Sequence, residues 1–263
     1  MTWPILILLV LLVFGVAFLY SNLGLGGGLL YVPILLSLVL FEDVAVPISL
    51  TLAAATGISA TVNHYRKGLV DLKLAGLLIG GALIGSVIGA IFNLSTSKTV
   101  FLAFFVSVII AVGIKMLHDW ITNTRSEDED DDSRMTSTRK ALSANGTLAS
   151  GFLAGSLGIG GGLVNVPLMV YVLGRKTRKA IGTSSMIIVA TSIFGFSSYL
   201  LLGTSRPIDF GLIAILWPFV FLGAFVGSRW GLKRLKTRLV ALIFILVLFI
   251  AAAKMIIDLV LGI

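Results

Sequence analysis

Two stretches decide the fold: residues 23–33 read LGLGGGLLYVP, and residues 157–167 read LGIGGGLVNVP. They lie 134 residues apart (157 − 23), and four glycines, a valine and a proline recur in them at the same spacing. The correspondence continues downstream at 45–49 and 180–184, at 70–71 and 208–209, and at Gly85 and Gly89 with Gly223 and Gly227. Several matches in the same order indicate that the chain consists of two copies of one unit.

The composition is typical of a membrane protein. Of the 263 residues, 57% are hydrophobic and 12% charged, and the mean hydropathy is +1.07, whereas a soluble domain carries about 25% charged residues. Cysteine is absent and only two histidines occur, so a disulfide framework and a Cys or multi-His metal site within one chain are excluded. In a membrane protein, the net charge of +8 indicates cytoplasmic loops and contact with anionic lipid rather than binding of nucleic acid. We expect a lipid bilayer as partner, no nucleic acid, no metal and no cofactor.

Apolar segments recur along both halves. A membrane-spanning helix needs about 20 mainly apolar residues, and backbone groups in lipid must pair internally, so the segments are predicted to be helices. Two of them, 29–40 and 163–173, are too short to span and follow the glycine clusters. The other predicted helices are 3–20, 44–63, 72–93, 98–118, 142–157, 180–203, 208–230 and 238–262.

The distribution of Lys and Arg predicts opposite orientations for the two halves. Cytoplasmic loops are enriched in these residues, and the enrichment reverses at all three pairs of corresponding loops. In the first pair, the loop of the first repeat is acidic (42–43) and that of the second is basic (175–179). In the second pair, 64–67 are basic and the counterpart has only Arg206; in the third, the first repeat has only Lys98 and the second has five cations in 229–238. Inverted repeats of this kind are common in secondary transporters. Inversion requires an odd number of crossings per half, so the helix–glycine–short-helix unit must enter and leave on one side.

We therefore predict an all-α integral membrane protein with two inverted repeats, each a glycine-broken helical hairpin plus three transmembrane helices. Residues 1–118 and 142–263 form the repeats, and 119–141 form a hydrophilic, acidic, cytoplasmic linker. Both termini are then extracytoplasmic. If 3–20 crosses the membrane by itself, the hairpin interpretation fails and the crossing count changes.

The glycine clusters are the candidate binding site. Glycine allows positive φ angles and close approach of a ligand to the backbone, and the unpaired N–H groups that open a helix attract anions. Inverted symmetry would bring both helix starts to one site at the membrane midplane. The helix that ends before each turn partly cancels this effect. The predicted substrate-binding residues are Asn22, Gly24, Gly26, Gly27, Gly28, Ser49, Ser156, Gly158, Gly160, Gly161, Gly162, Asn165, Thr183 and Ser184. Ser21 is a further polar candidate close to the first motif. Each hydroxyl or amide could instead bond to its own helix, and a bulky replacement of Gly27 or Gly161 should abolish transport with folding intact.

Other marked residues are assigned structural roles. Asp71 and Asp209 are expected to cap helices. His64, beside Asn63 near a helix end, is expected to be exposed at the membrane surface. The glycines at four-residue spacing are expected to form packing faces: Gly76, Gly80, Gly81, Gly85, Gly89, Gly223 and Gly227.

The same sequence limits the function. No ionisable residue falls in the middle of a predicted span, and there is no Walker motif or nucleophile–base arrangement, so neither an ATP-driven pump nor an enzyme is expected. A transporter is the leading hypothesis. A passive anion channel, or a scaffold whose glycines serve only packing and whose linker docks a partner, is the alternative.

The duplicated GxGGGxxxVP motif and the stretch Ala180-Ile181-Gly182-Thr183-Ser184 resemble the TauE/SafE family of sulfite and organosulfonate exporters over nearly the whole chain. The first repeat departs from that pattern with Pro47-Ile48 where the family usually has Gly-Thr. The resemblance implies export of sulfite, sulfoacetate, a related C2 sulfonate or another small oxoanion. The leading hypothesis is therefore a bacterial inner-membrane transporter in which the inverted halves supply alternating access. The packing glycines would allow a homodimer.

Overall fold

The computed structural model describes residues 3–38, 42–122, 130, 136–231 and 246–257, and these fold into helices joined by turns. Two of the helices end in π-helical turns, at Leu168–Val172 and at Gly227–Gly231. The helices are α1 Trp3–Tyr20, α2 Gly28–Leu38, α3 Glu42–Arg66, α4 Leu72–Leu94, α5 Lys98–Ile121, α6 Ser137–Leu157, α7 Gly162–Pro167 with the first π turn, α8 Thr177–Leu202, α9 Phe210–Val226 with the second, and α10 Leu246–Ile257.

Six of these helices are long and apolar enough to cross a membrane: those within 3–20, 44–66, 72–94, 98–118, 177–202 and 210–229. Helices α2, α7 with its π turn, and α10 are apolar but shorter. At 1.5 Å per residue, the 11 residues of α2 extend only about 16 Å. The part of the prediction at 238–245 and 258–262 lies outside the described residues.

The starts of α4 and α9 are fixed by aspartate caps, as the sequence predicts. Asp71 Oδ1 accepts a hydrogen bond from the Leu74 N–H at 3.0 Å, and Asp209 Oδ1 accepts one from the Leu212 N–H at 2.9 Å. Each carboxylate satisfies an N–H group that has no partner within the helix. The two caps occupy corresponding places in the two repeats.

Glycines let helices of opposite repeats pack closely. A Cβ atom at Gly85 would overlap the carbonyl oxygen of Leu148, which brings α4 against α6. A Cβ at Gly223 would lie 2.6 Å from the carbonyl oxygen of Phe14, which brings α9 against α1. Gly81, Gly89 and Gly227 make similar contacts, but Gly76 and Gly80 have no atom within 4 Å of an added Cβ. The packing prediction is wrong for these two because they lie on a different side of α4.

Helices α3 and α8 cross in the interior and run in opposite directions. A Cβ added at Gly182, at the start of α8, would lie 3.2 Å from the Cβ of His64 at the end of α3. A Cβ added at Gly195, near the other end of α8, would lie 3.1 Å from Leu50, near the start of α3. The two helices are the corresponding third elements of the two repeats.

Four segments meet at one end of the molecule. Arg175 pairs with Asp71 at 3.3 Å, Lys179 pairs with Asp130 of the acidic linker, and the Lys67 ammonium donates to the Ser228 carbonyl at 2.7 Å. Burial raises the pKa of Asp130, but hydrogen bonds from Lys176 and Lys179 and the nearby positive charges outweigh it, so the net pKa lies below its usual range. This end therefore joins the α3–α4 loop, the linker, the α7–α8 loop and the end of α9.

Candidate functional site

The two glycine loops lie in direct contact. A Cβ added at Gly28 would overlap the carbonyl oxygen of Gly158, and a Cβ added at Gly162 would overlap that of Gly24. Each final glycine thus faces the first glycine of the other motif. Any side chain at Gly28 or Gly162 would push the loops apart, so these two glycines are needed for contact between the repeats.

Two serines hold the loops by reciprocal hydrogen bonds. The Ser49 hydroxyl of α3 donates to the Gly158 carbonyl at 2.9 Å, and the Ser184 hydroxyl of α8 donates to the Gly24 carbonyl at 2.8 Å. All four residues were predicted site residues, and the structure brings them together. Because both hydroxyl protons are already donated to carbonyls, Ser49 and Ser184 position the loops rather than offer donors to a ligand.

The loops expose a series of backbone donors. Their first three glycines have positive φ angles between 65° and 88°, a conformation that L residues rarely adopt. Within the described part of the chain, no acceptor is bonded to the N–H groups of residues 25–29 or 159–163. Ten N–H groups, five from each loop, therefore have no acceptor among the described residues.

The carbonyls around these loops are also partly neutralised. In the second repeat, Thr191 donates to the Gly160 carbonyl at 3.2 Å, and Ser150 donates to the Gly161 carbonyl at 2.8 Å. Together with the serine bonds, these contacts satisfy four carbonyl groups of the two loops. Neither Thr191 nor Ser150 was predicted, because polar residues on distant turns of a helix give no sequence signal for this contact.

Three other predicted side chains have hydrogen-bond partners within the protein, although Asn22 Oδ1 has none among the described residues. The Ser156 hydroxyl donates to the Phe152 carbonyl of its own helix at 2.6 Å, and the Asn22 amide donates to the Phe18 carbonyl at 2.9 Å. The Thr183 oxygen accepts the Asp71 N–H at 3.0 Å. Ser21, the further polar candidate, donates to the Phe18 carbonyl at 3.0 Å. The contacts of Ser156, Asn22 and Ser21 match the alternative that the sequence left open, a bond to the side chain's own helix or its last turn, whereas Thr183 bonds to a different segment.

Asn165 differs from all of these residues. It has no exposed surface, and neither its Nδ2 nor its Oδ1 has a partner among the described residues. Its counterpart in the first repeat is Tyr31, whose hydroxyl lies 2.8 Å from Thr56 Oγ1. Burial of an unpaired amide costs free energy, so Asn165 is the predicted side chain with the clearest capacity to bind a ligand.

His64 corrects the sequence prediction, which placed it at the membrane surface. It is fully buried, and its Nε2 lies 3.2 Å from the Ser21 carbonyl oxygen at the start of the first loop. Asn63 is also buried and donates to Ser228 Oγ at 2.7 Å. The prediction failed because α3 ends against α8 and α9 rather than against solvent. The repeat itself held a signal: His64 lies 135 residues before Tyr199, the same offset as Ser49 and Ser184.

The structure also changes the expectation for bulky substitutions in the loops. A Cβ added at Gly161 would lie 2.9 Å from the Ser150 carbonyl oxygen, and φ is already +81° there. At Gly27 an added Cβ would lie 2.6 Å from the Tyr31 ring. Valine at either position should therefore disturb folding as well as any binding, so these variants cannot separate the two.

Metal binding has no support in the described ranges, where no group of three or more His, Asp or Glu side chains could hold an ion. The two loops carry backbone N–H groups without partners among the described residues, and serine hydroxyls bond to two of their carbonyls. Six of the described helices are long and apolar enough to cross a membrane. These features define a polytopic α-helical membrane protein with a polar centre built from two glycine loops.

The chain belongs to the sulfite exporter TauE/SafE family, whose sequence profile matches residues 9–255. It is 28% identical to the probable membrane transporter protein YunE of Bacillus subtilis (strain 168), over 90% of this chain and 92% of the relative. It is 26% identical to YdhB of the same organism, also a probable membrane transporter protein, over 90% and 95%. A probable membrane transporter protein of Xylella fastidiosa (strain Temecula1) is 32% identical over 68% and 67%.

No solved structure matches the chain. The family and the apolar helices make this protein a multi-pass membrane protein of a transporter family rather than an enzyme. Its partners are accordingly the lipid bilayer and a small-molecule substrate.

Proposed function

We propose that the protein exports a small sulfur-containing anion, such as sulfite, sulfoacetate or a related C2 sulfonate, across the bacterial inner membrane by alternating access. The observation that carries the proposal is the contact between two glycine loops with unpaired backbone N–H groups on both. Such groups bind anions through hydrogen bonds and partial positive charge. The family description supplies the sulfur-containing substrate class.

Asn165 supports a ligand at the same place. Helix α7 starts at Gly162 and continues as a π-helical turn to Val172, and Asn165 lies in its first turn. A bound oxoanion would accept hydrogen bonds from the Asn165 amide, and a protonated oxygen of the anion could donate to Oδ1. Because no buried cation is involved, binding should be modest in affinity, which favours release.

The packing of α3 against α8 supports the inverted arrangement. The corresponding helices α3 and α8 run in opposite directions. If α3, α4 and α5 each cross the membrane once, α8 can start on the side where α3 ends only if the α6–α7 unit crosses an even number of times. The 11-residue helix that includes α7 is too short to span, so the even number is zero and the unit is a re-entrant hairpin. By the same symmetry α1 and α2 form the first hairpin, although the 18 residues of α1 are long enough to cross.

Transport into proteoliposomes tests the proposal directly. We expect saturable uptake of sulfite and sulfoacetate and no uptake of an uncharged analogue by vesicles that contain folded protein. Non-saturating flux would instead indicate a passive channel. Absence of anion uptake would contradict the proposal, and a scaffold would further be indicated if deletion of residues 126–133 released a bound partner.

The variant Asn165→Leu tests the site. We expect the KM for the anion to rise about ten-fold or more, because a hydrogen bond to a charged group contributes about 1.5–3 kcal/mol. Thermal unfolding in detergent should show equal or higher stability, since the variant removes a buried unpaired amide. Asn145→Leu, at an exposed position of α6, is the matched control and should transport normally. Unchanged KM in Asn165→Leu would place the site elsewhere.

A further inference from the structure

We propose that His64 is a proton-binding site whose occupancy is coupled to anion binding at the glycine loops. This inference rests on the proposed function and adds a second ligand, the proton, to the same site. Two independent observations carry it: the contact of the buried imidazole with the first loop, and a difference between the repeats at this position.

The imidazole lies between the two repeats. Its Nε2 is 3.2 Å from the carbonyl oxygen of Ser21, three residues before the first glycine of the loop. At the base of the side chain, α8 approaches closely because Gly182 lacks a side chain: a Cβ added there would lie 3.2 Å from the His64 Cβ. The next residues of α8 are Thr183, bonded to Asp71, and Ser184, bonded to Gly24. His64 thus contacts the segment that leads into the loop and the helix that holds the loop in place.

The corresponding contact in the second repeat cannot titrate near neutral pH. There the Tyr199 hydroxyl donates to the Gly155 carbonyl at 2.8 Å, at the same distance along the chain from the second motif. Both side chains are fully buried. If a hydrogen bond to this carbonyl were the whole requirement, tyrosine would serve in both repeats, but the first repeat uses the side chain that gains or loses a proton between pH 5 and 8.

The hydrogen bonds define the neutral form and leave a place for the proton. A carbonyl oxygen only accepts, so Nε2 carries the hydrogen in the neutral ring. Nδ1 then presents a lone pair, and it has no partner among the described residues. Protonation at Nδ1 requires no rearrangement of the Ser21 contact and adds one positive charge next to the first loop.

The charges on surrounding elements make protonation dependent on an anion. Asp71 is already paired with Arg175, and the Lys67 ammonium interacts electrostatically with His64. The titratable or charged residues at this end of the elements packed against His64 include Tyr20, Tyr65, Arg66, Lys67, Asp71, Lys73, Arg175, Lys176, Arg178, Lys179 and Arg229. Since this set is mainly basic, a second positive charge is opposed when the site is empty, and a bound anion offsets that repulsion. By linkage, protonation of His64 must then strengthen anion binding by the same factor.

Anion uptake at equal pH on both sides of the vesicle tests this coupling. The probe is 2-hydroxyethanesulfonate, a C2 sulfonate with no group that titrates between pH 5 and 8. We expect the wild-type KM to be about five-fold or more lower at pH 6 than at pH 8. His64→Gln should have the same KM at both values. His118→Gln removes the other, exposed histidine and should retain the wild-type ratio.

A spectroscopic measurement keeps the test independent of the folding of His64→Gln. In His118→Gln protein labelled with ¹⁵N-histidine, the remaining imidazole signals should move toward the protonated form when the sulfonate is added at pH 7. A pH-dependent KM that persists in His64→Gln, or imidazole signals that do not respond to the anion, would overturn the coupling. Absence of saturable uptake by the wild type at both pH values would instead overturn the proposed function.

Discussion

Ser49 and Ser184 each donate a hydrogen bond to a glycine carbonyl of the opposite repeat, so the shape of each loop depends on a side chain from the other. The bonds connect residues 109 and 160 positions apart in sequence. They hold two loop carbonyl oxygens in place. In the proposed site, this would leave the backbone N–H groups of the loops as the groups available to an anion.

Alanine in place of either serine should weaken both stability and anion binding. Loss of the donor leaves a buried carbonyl without a partner, at a cost of about 1–2 kcal/mol. For a chain of this size, that corresponds to a fall in unfolding temperature of roughly 2–8 °C. We expect a raised KM in Ser49→Ala and Ser184→Ala, measured in proteoliposomes alongside unfolding in detergent.

Ser185→Ala is the matched control, because this buried hydroxyl donates to the Ile181 carbonyl of its own helix at 2.9 Å. It should leave KM unchanged. Equal effects of Ser184→Ala and Ser185→Ala would mean that the contact between the repeats has no special role.

The sequence identified the polar residues near the loops but not what they bond to. Ser49 and Ser184 were chosen because they are polar and close to the glycine motifs, whereas their acceptors depend on how the two repeats meet. Asn165 could be predicted as a candidate because it is polar and close to the second motif. Its lack of hydrogen-bond partners could not be predicted, because the corresponding Tyr31 does have one, Thr56. His64 was misplaced because proximity to a helix end does not reveal which helices cover it.

At the scale of helices, the face of α4 that carries Gly81, Gly85 and Gly89 determines how closely α4 and α6 approach. The carbonyls of Ala144, Leu148 and Phe152 occupy the space where side chains would project. Small residues allow such close backbone contact, which is a main source of helix association in lipid. The other side of the same helix, at Gly76 and Gly80, has open space.

Two substitutions on α4 separate these faces. Gly85→Ala should lower stability by about 1–3 kcal/mol, because the added methyl group overlaps the Leu148 carbonyl and must displace α6. Gly80→Ala should change stability by no more than about 1 kcal/mol, with a gain favoured by helix propensity. Thermal unfolding of the two purified variants in detergent gives the comparison. A Gly85→Ala protein as stable as Gly80→Ala would show that α4 and α6 are not tightly packed.

Hydropathy predicts the helices well because apolar residues in lipid have few alternatives to a helix. The predicted stretch 72–93 corresponds to Leu72–Leu94, and 180–203 corresponds to Thr177–Leu202. The predicted helices next to the charged linker are too short, because the prediction ends each helix where polar residues begin. Helix α5 continues to Ile121, and α6 begins at Ser137, so both extend into the stretch 119–141 that was assigned to the linker. Spacing by fours identified the packing glycines as a group, but could not tell which side of α4 would meet another helix.

For the whole molecule, contacts at one end agree with the charge pattern of the loops. Asp71, Asp130, Arg175 and Ser228 come from four separate segments, and all meet there. Three of the segments are the ones rich in Lys and Arg, and the fourth is the acidic linker. The positive-inside tendency predicts that this end faces the cytoplasm.

The absence of cysteine from the native sequence permits a direct test of this orientation. Single cysteines at Ser97 and Ser205 should react with a membrane-impermeant maleimide in intact spheroplasts. Both lie in turns between helices, at the end opposite to the linker in the inverted arrangement. A cysteine in place of Arg178, at the opposite end of α8 from Ser205, should react only after the membrane is opened. The three positions are exposed in the structure.

Labelling of Ser97→Cys and Ser205→Cys from opposite sides of the membrane would contradict inversion. These sites lie in non-corresponding turns, α4–α5 of the first repeat and α8–α9 of the second, and inversion of the repeats requires both to be extracytoplasmic. Arg178→Cys that reacts in intact spheroplasts would reverse the assignment of the cytoplasmic end.

The reciprocal serine bonds have a consequence for biosynthesis. The ribosome completes the first glycine loop long before it reaches Ser184, and at about 5–20 residues per second the missing 160 residues take roughly 8–32 s. During that interval the Gly24 carbonyl lacks its native donor, and the backbone that follows lacks the second loop against which it packs. The first half must therefore enter the membrane with its centre unfinished, and it can be closed only by the half that is synthesised last.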